Sequence, residues 1–267
     1  MYKLAVFGNP IKHSLSPTIH AQFSQQTGVM VNYEKILAPI DNFKQTAQQF
    51  IDDGANGFNV TVPFKLDAFN FATELTLNAK TAGAVNTISV KNDQIIGENT
   101  DGIGLVNDLT NNLDIDLKDK IILILGAGGA TQGILLPLLK QKPKRVMIAN
   151  RTESKALQLR QDFSKYGHTC GFGLNKIKHD PVDIIINATS ASLEGKMPDI
   201  AGGCAKDAIC YDLMYGKQTP FMVWAKDNKA ATIVDGLGML VEQAASSFEF
   251  WTGKKPDTQS VIKSLRS

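Results

Sequence analysis

Cysteine is scarce in this chain of 267 residues: only Cys170, Cys204 and Cys210 are present. No two of them have C-x-x-C spacing and no histidine stands at ligand spacing beside them, so no structural zinc and no disulfide framework is expected. A sparse, odd count suits a reducing compartment, and the three side chains read as small buried apolar groups. An excess of charge is also missing. Lys and Arg number 28 against 26 Asp and Glu, a net charge of +2. That balance offers no electrostatic footprint for nucleic acid or for a membrane surface. No apolar run approaches the roughly 18 residues of a membrane-crossing helix. The opening Met1-Tyr2-Lys3-Leu4-Ala5-Val6-Phe7-Gly8 reads as a short strand, not as a secretory leader. Repeats and low-complexity tracts are absent. The expectation is a cytoplasmic protein with no metal, no nucleic-acid partner and no membrane partner. Monomer and homodimer both stay open.

What is present is an ordinary globular composition, 43% hydrophobic and 20% charged, over a length comfortable for two domains. Apolar runs alternate with helical patterns. Strands are expected at 3–7, 31–37, 57–62, 121–125, 145–149, 183–187, 208–212 and 231–234. A hairpin is expected from 84–90 and 94–97 around Asn92-Asp93. Ser16-Pro17 reads as a helix cap and first helical residue, and Gly28 as that helix's end. Asp41 is expected to cap the next helix, and Pro63 to start the one after. The texture changes near Asp101, where a helix with Ile103, Val106 and Leu109 on one side begins. Strand–helix alternation with short connections implies an α/β architecture with a parallel sheet. We place an N-terminal α/β domain at 1–101 and a Rossmann-type, doubly wound domain at 102–236. The helical segment 237–267 is expected to return to the first domain, with a cleft between the two.

The run Ile121-Ile122-Leu123-Ile124-Leu125 is the kind of strand buried on both faces. It leads through Gly126-Ala127-Gly128-Gly129-Ala130 into a helix. Glycines there permit a tight turn and close approach of a pyrophosphate, while the helix start supplies free N–H donors. The G-x-G-x-x-G fingerprint is incomplete, because its sixth position is Thr131. The next strand ends Ala149-Asn150-Arg151-Thr152, with Lys155 three residues on, and no carboxylate stands at its tip. A ribose 2′-hydroxyl asks for such a carboxylate, whereas a 2′-phosphate asks for a guanidinium. Arg151 and Lys155 therefore favour NADP over NAD.

Polar residues gather at the expected turns of the first domain. Ser14 and Ser16 flank a helix start, where two hydroxyls suit a carboxylate. Lys65 falls on the helix expected after Pro63, and Asp101 sits at the domain junction. Taken singly, each has an ordinary reading as a cap or a solvated side chain. Taken in order, Ser14-Leu15-Ser16-Pro17, Asn59-Val60-Thr61-Val62-Pro63-Phe64-Lys65, Gly83-Ala84-Val85-Asn86-Thr87, Asn99-Thr100-Asp101-Gly102, Gly126-Ala127-Gly128-Gly129-Ala130, Asn150-Arg151-Thr152 and Asp235-Gly236-Leu237-Gly238-Met239-Leu240-Val241-Glu242-Gln243 strongly resemble the shikimate dehydrogenase family.

The resemblance spans nearly the whole chain, and it implies reversible reduction of 3-dehydroshikimate to shikimate with NADPH, in aromatic amino-acid biosynthesis. It implies Lys65 and Asp101 as the catalytic pair. It further implies that Ser14 and Ser16 take the substrate carboxylate, that Thr61, Asn86 and Gln243 bond ring hydroxyls, and that Tyr215 lines the pocket. Asn150, Arg151, Thr152 and Lys155 would join the glycine turn at the cofactor, with Gly236 and Leu213 near the nicotinamide. Leu77 departs from the acidic residue often found near that position. A quinate/shikimate dehydrogenase with relaxed cofactor choice is the neighbouring alternative. A catalytically silent NADP-binding sensor is the other, and it would be expected to lack Lys65 or Asp101.

Overall fold

The computed structural model describes residues 1–177, 181–189, 191, 195–198, 200 and 202–267. The chain forms two compact units, one of residues 1–105 with 240–267 and the other of residues 106–239.

The first unit begins with β1 (Tyr2–Gly8), α1 (Ser16–Thr27), β2 (Val31–Leu37), α2 (Phe43–Asp52) and β3 (Gly57–Val60). It continues through α3 (Lys65–Phe71), β4 (Glu74–Leu75), α4 (Leu77–Ala82), β5 (Thr87–Lys91), β6 (Gln94–Glu98) and α5 (Asp101–Asn107). Its sheet has the order β2-β1-β3-β5-β6-β4. β1 pairs in parallel with β2 and β3, but β3–β5 and β5–β6 are antiparallel. The sheet is thus mixed, because the hairpin at Asn92-Asp93 reverses the chain. Both residues take the left-handed φ that a two-residue type I′ turn requires. Phe7, Phe43, Phe50, Phe58 and Phe64 pack with Val60, Val85 and Ile88 into one buried core of this unit.

Several sequence boundaries shift. Ser16 is the first helical residue and not the cap; Leu15 precedes it without a side-chain bond. Instead Ser14 Oγ accepts from the Ser16 N–H at 3.3 Å. Asp41 is not a cap either, since α2 follows Asn42 and has no side-chain cap. β3 stops at Val60, and α3 starts at Lys65, two residues past Pro63. The strand expected from 84 starts at Thr87. α5 runs into a π-helical turn, Asp108–Asn112.

The second unit contains β7 (Ile121–Leu125), α6 (Gly129–Lys140), β8 (Arg145–Asn150), α7 (Glu153–Phe163) and β9 (Thr169–Gly173). β10 (Ile184–Asn187), β11 (Ile209–Asp212), α8 (Pro220–Asp227) and β12 (Thr232–Val234) follow. The sheet order is β12-β11-β10-β7-β8-β9, and every pair is parallel. This is the Rossmann-type arrangement. The strand order reverses at β7, so the carboxyl end of β7 is the switch point at which open α/β sheets bind ligands. Leu123 and Leu125 are fully buried within a core that also takes Ile185, Cys210 and Phe221.

The chain ends in α9 (Leu237–Thr252) and α10 (Thr258–Arg266). Val241, Ala244, Ala245 and Phe248 of α9 bury against Ile19 and Phe23 of α1 and Val261 of α10. The C-terminal helices therefore belong to the core of the first unit. Among the described residues no helix is long and apolar enough to cross a membrane.

Candidate active site

In the first unit the ends of β3, β5 and β6 deliver polar side chains to one place. Lys65 is the first residue of α3 and Asp101 the first of α5. The Lys65 Nζ lies 2.5 Å from Asp101 Oδ2, and both side chains keep partial exposure, 32% and 15%. The pair can therefore meet a solute and still be held in register. Asn86 is buried and donates from Nδ2 to Asp101 Oδ1 at 2.8 Å, to Thr100 Oγ1 at 2.9 Å and to Gln243 Oε1 at 3.3 Å. Its Oδ1 accepts from the Thr100 N–H at 2.9 Å and the Thr87 hydroxyl at 2.9 Å. These donors fix the orientation of the amide. A flipped Asn86 would set its carbonyl against the Asp101 carboxylate and lose both. Gln243 donates from Nε2 to Leu240 O at 2.8 Å, which leaves Oε1 to face Asn86 and Thr100.

Ser14 and Ser16 are joined, with the Ser14 hydroxyl donating to Ser16 Oγ at 3.2 Å. Thr61 follows β3 and is tied to β1 by its N–H, which donates to Phe7 O at 2.9 Å. Gly8 makes room for it, because a Cβ there would lie 2.6 Å from Thr61 Cγ2. Four residues around this centre went unassigned in the sequence: Tyr33, Asn59, Thr87 and Ser247. The Tyr33 hydroxyl donates to Asn59 Oδ1 at 2.7 Å. Burial pushes the Tyr33 phenol well up, against the opposing effect of the Ser16 hydroxyl. Asn59 Nδ2 reaches Asn86 O, Thr87 Oγ1 and Ser247 Oγ at 3.0–3.1 Å. The Asn59-to-Lys65 block was the one signal that pointed to Asn59. Ser247 lies four residues after Gln243 on α9, a spacing that puts both on one helix face.

The second unit carries the residues expected at a dinucleotide. Gly126 has φ +106°, and a Cβ on it would lie 3.1 Å from Ala188 O, so the turn requires glycine there. Thr131, which replaces the third fingerprint glycine, is fully buried and donates to Gly126 O at 2.9 Å. Its hydroxyl braces the turn from inside α6. A Cβ on Gly128 or Gly129 would meet nothing within 4 Å, so the approach to the helix start is open. The Ala127 N–H donates to Asn150 Oδ1 at 3.2 Å, and Asn150 Nδ2 donates to Thr152 O at 2.9 Å. Asn150 thereby ties the tip of β8 to the glycine turn.

Arg151 and Lys155 are exposed, and neither side chain has a hydrogen-bond or ion-pair partner among the described residues. The nearby Glu153 carboxylate is engaged by Lys176 Nζ, 2.8 Å from each oxygen. Gly236 is a position of close approach: a Cβ there would lie 2.3 Å from Leu213 O. Tyr215 follows β11 in this same unit and is not part of the first unit's network; burial raises its phenol pKa. Leu77 opens α4 in the first unit and is 54% exposed.

Family models match the chain in three stretches. They are a shikimate dehydrogenase substrate-binding domain at residues 6–88, a shikimate/quinate 5-dehydrogenase domain at 108–194 and a shikimate 5′-dehydrogenase C-terminal domain at 236–266. Among curated relatives, the shikimate dehydrogenase (NADP(+)) of Ruthia magnifica subsp. Calyptogena magnifica is 74% identical over 100% of both chains. That of Nitrosomonas eutropha is 49% identical over 98% of this chain and 96% of its own. Among solved structures, a shikimate 5-dehydrogenase from Thermus thermophilus in complex with NADP(H) and shikimate superposes with a TM-score of 0.87 at 30% identity, covering 100% of this chain and 99% of that one. Identity at this level along the full length shows that the chain belongs to the shikimate dehydrogenase family.

Proposed function

We infer that this chain is an NADP-dependent oxidoreductase acting on a CH–OH group, which interconverts shikimate and 3-dehydroshikimate in aromatic amino-acid biosynthesis. The carrying observation is the Lys65–Asp101 pair, 2.5 Å apart and held by Asn86 in a chain 74% identical to a shikimate dehydrogenase (NADP(+)). An intact pair weighs against a silent sensor.

The second unit suits NADP. Its glycine turn has open space above Gly128 and Gly129, and the side chains of Arg151, just after β8, and Lys155, on α7, have no partner among the described residues. Ala127 and Ala130 complete the turn, Asn150 and Thr152 complete the strand tip, and Leu213 and Gly236 border the nicotinamide end. When bound, NADP supplies the site that accepts or returns hydride.

The proton chemistry belongs to the first unit. As the ketone carbon gains hydride, negative charge develops on its oxygen. Lys65 Nζ donates a proton to that oxygen, and Asp101 holds the ammonium in place. In the reverse direction Lys65 takes the proton from the alcohol. Ser14 and Ser16 bind the substrate carboxylate, while Thr61, Asn86 and Gln243 bond its ring hydroxyls. Neutral donors and acceptors suit a polyhydroxylated ring, because a hydroxyl left unpaired in a closed site is costly. The reading carries with it a cytoplasmic enzyme, monomeric or homodimeric.

The test is spectrophotometric. Shikimate and NADP added to purified protein are expected to yield NADPH, and no NADPH above background would remove the reading. Quinate and NAD, tested alongside, are expected to be much poorer. Lys65→Ala is expected to lower kcat by about 10²–10⁴-fold, the usual worth of a positioned acid–base group. Near-normal turnover in that variant would reject Lys65 as the proton carrier.

A further inference from the structure

Ser247 has no place in the chemistry described so far, yet its hydroxyl is the point at which the polar residues behind Asn86 converge. The side chain is fully buried on α9. Its Oγ lies 3.0 Å from Gln243 O and accepts from Asn59 Nδ2 at 3.0 Å. It also lies 2.8 Å from Thr87 Oγ1 and 3.3 Å from Thr100 Oγ1. Three of these partners hold Asn86 directly: Thr87 and Thr100 at its side chain, Asn59 at its backbone carbonyl.

We propose that Ser247 is a positioning residue for the reaction, acting through Thr87 and Asn59 to fix the amide of Asn86 against Asp101. The steps follow from the single hydrogen that each hydroxyl carries. Tyr33 donates to Asn59 Oδ1, so the Asn59 amide hydrogens must point inward. They reach Ser247, Thr87 and the Asn86 carbonyl. The Thr87 hydroxyl gives its one hydrogen to Asn86 Oδ1, so the 2.8 Å contact with Ser247 requires Ser247 to donate to Thr87 Oγ1, which holds that hydroxyl in place. Asn86 Nδ2 then faces Asp101 Oδ1, whose other oxygen holds Lys65.

Loss of the Ser247 hydroxyl would take one of three acceptors from Asn59 Nδ2 and a neighbour from each of the buried Thr87 and Thr100 hydroxyls. Buried polar networks are sensitive to such partial satisfaction. The Thr87 hydroxyl would be free to rotate, and Asn86 to relax away from the catalytic pair. α9 thus contributes two residues one turn apart: Gln243 at the polar cluster and Ser247 behind it.

This inference rests on the shikimate dehydrogenase reading, and its test begins with wild-type turnover, whose absence would sink that reading rather than this one. Given an active wild type, Ser247→Ala is expected to lower kcat/KM for shikimate by about tenfold, in line with a buried polar partner left unsatisfied. The KM for NADP is expected to stay unchanged, because the glycine turn lies in the other compact unit. Thr87→Val and the double variant complete a cycle. If Ser247 acts through Thr87, the double variant loses little more than Thr87→Val alone. Unchanged kinetics in Ser247→Ala would overturn the proposal. So would strictly additive losses, which are the mark of two independent structural effects. Ser247→Ala removes a single oxygen from a packed helix face, and its melting temperature, read in parallel, separates lost positioning from lost folding.

Discussion

Arg151 is an exposed guanidinium with no partner among the described residues, and the carboxylate nearest to it in sequence is held by Lys176. A guanidinium so left free matches a phosphate better than a hydroxyl, because it offers two parallel N–H donors and a charge. A hydrogen bond to a charged group contributes about 1.5–3 kcal/mol. Arg151→Gln is therefore expected to lower kcat/KM for NADP by about tenfold to a hundredfold, while leaving the weak activity with NAD nearly unchanged. Equal losses with both cofactors, measured side by side, would contradict a 2′-phosphate contact. This residue was legible in the sequence, since a strand tip without a carboxylate is a local pattern. Lys65 and Asp101 were legible in a weaker sense. Each alone reads as a helix-start residue, and only the order of the polar blocks gave them a shared role.

Helix α1 shows what packing between elements does to a single side chain. His20 lies on it, fully buried, with its ring stacked on Tyr33 of β2 at 4.2 Å and near Phe23, Phe248 and Trp251. Among the described residues neither ring nitrogen has a hydrogen-bond partner. Burial pushes its pKa down to about 3, against an opposing pull from Asn59. That pull is minor, because the Asn59 amide hydrogens are turned to Asn86, Thr87 and Ser247. The unfolded chain takes a proton on this imidazole below about pH 6.5, while the folded chain keeps it neutral down to about 3. The stability is thus full above 6.5 and falls as pH falls through that window, by up to about 1.4 kcal/mol per pH unit. His20→Phe fills the same aromatic site without a titrating group. Its denaturant midpoint is expected to depend less steeply on pH between 6 and 4 than that of the wild type. Parallel pH profiles for the two proteins would show that His20 titrates normally in the fold. The helix itself was read correctly from its Pro17 and Gly28, but the burial of His20 on it was not, since the partners of that ring lie on β2 and α9 as well as on the helix itself.

The whole molecule divides its work between two compact units. The glycine turn, the β8 tip and Gly236 all lie in the second, and Lys65, Asp101 and Asn86 all lie in the first. NADP is therefore expected to raise the melting temperature of the wild type and of Lys65→Ala alike, by mass action worth about 2.7 kcal/mol at a hundredfold excess over Kd. A shift present in the wild type and absent in Lys65→Ala would tie the lysine to cofactor binding. The sequence by itself determined the α/β class, the Gly126–Ala130 turn, the absence of a carboxylate at the β8 tip and the order of the polar blocks. Each of these is written in residues close together along the chain, where periodicity and turn chemistry act. Tertiary structure alone decided that the first sheet is mixed and that Thr131 braces the turn from within. It also decided that Asn59 and Ser247, 188 residues apart, meet behind Asn86. A hydrogen bond between distant side chains leaves no periodic trace in a sequence. It forms only when sheet order and helix packing bring the two groups to bonding distance.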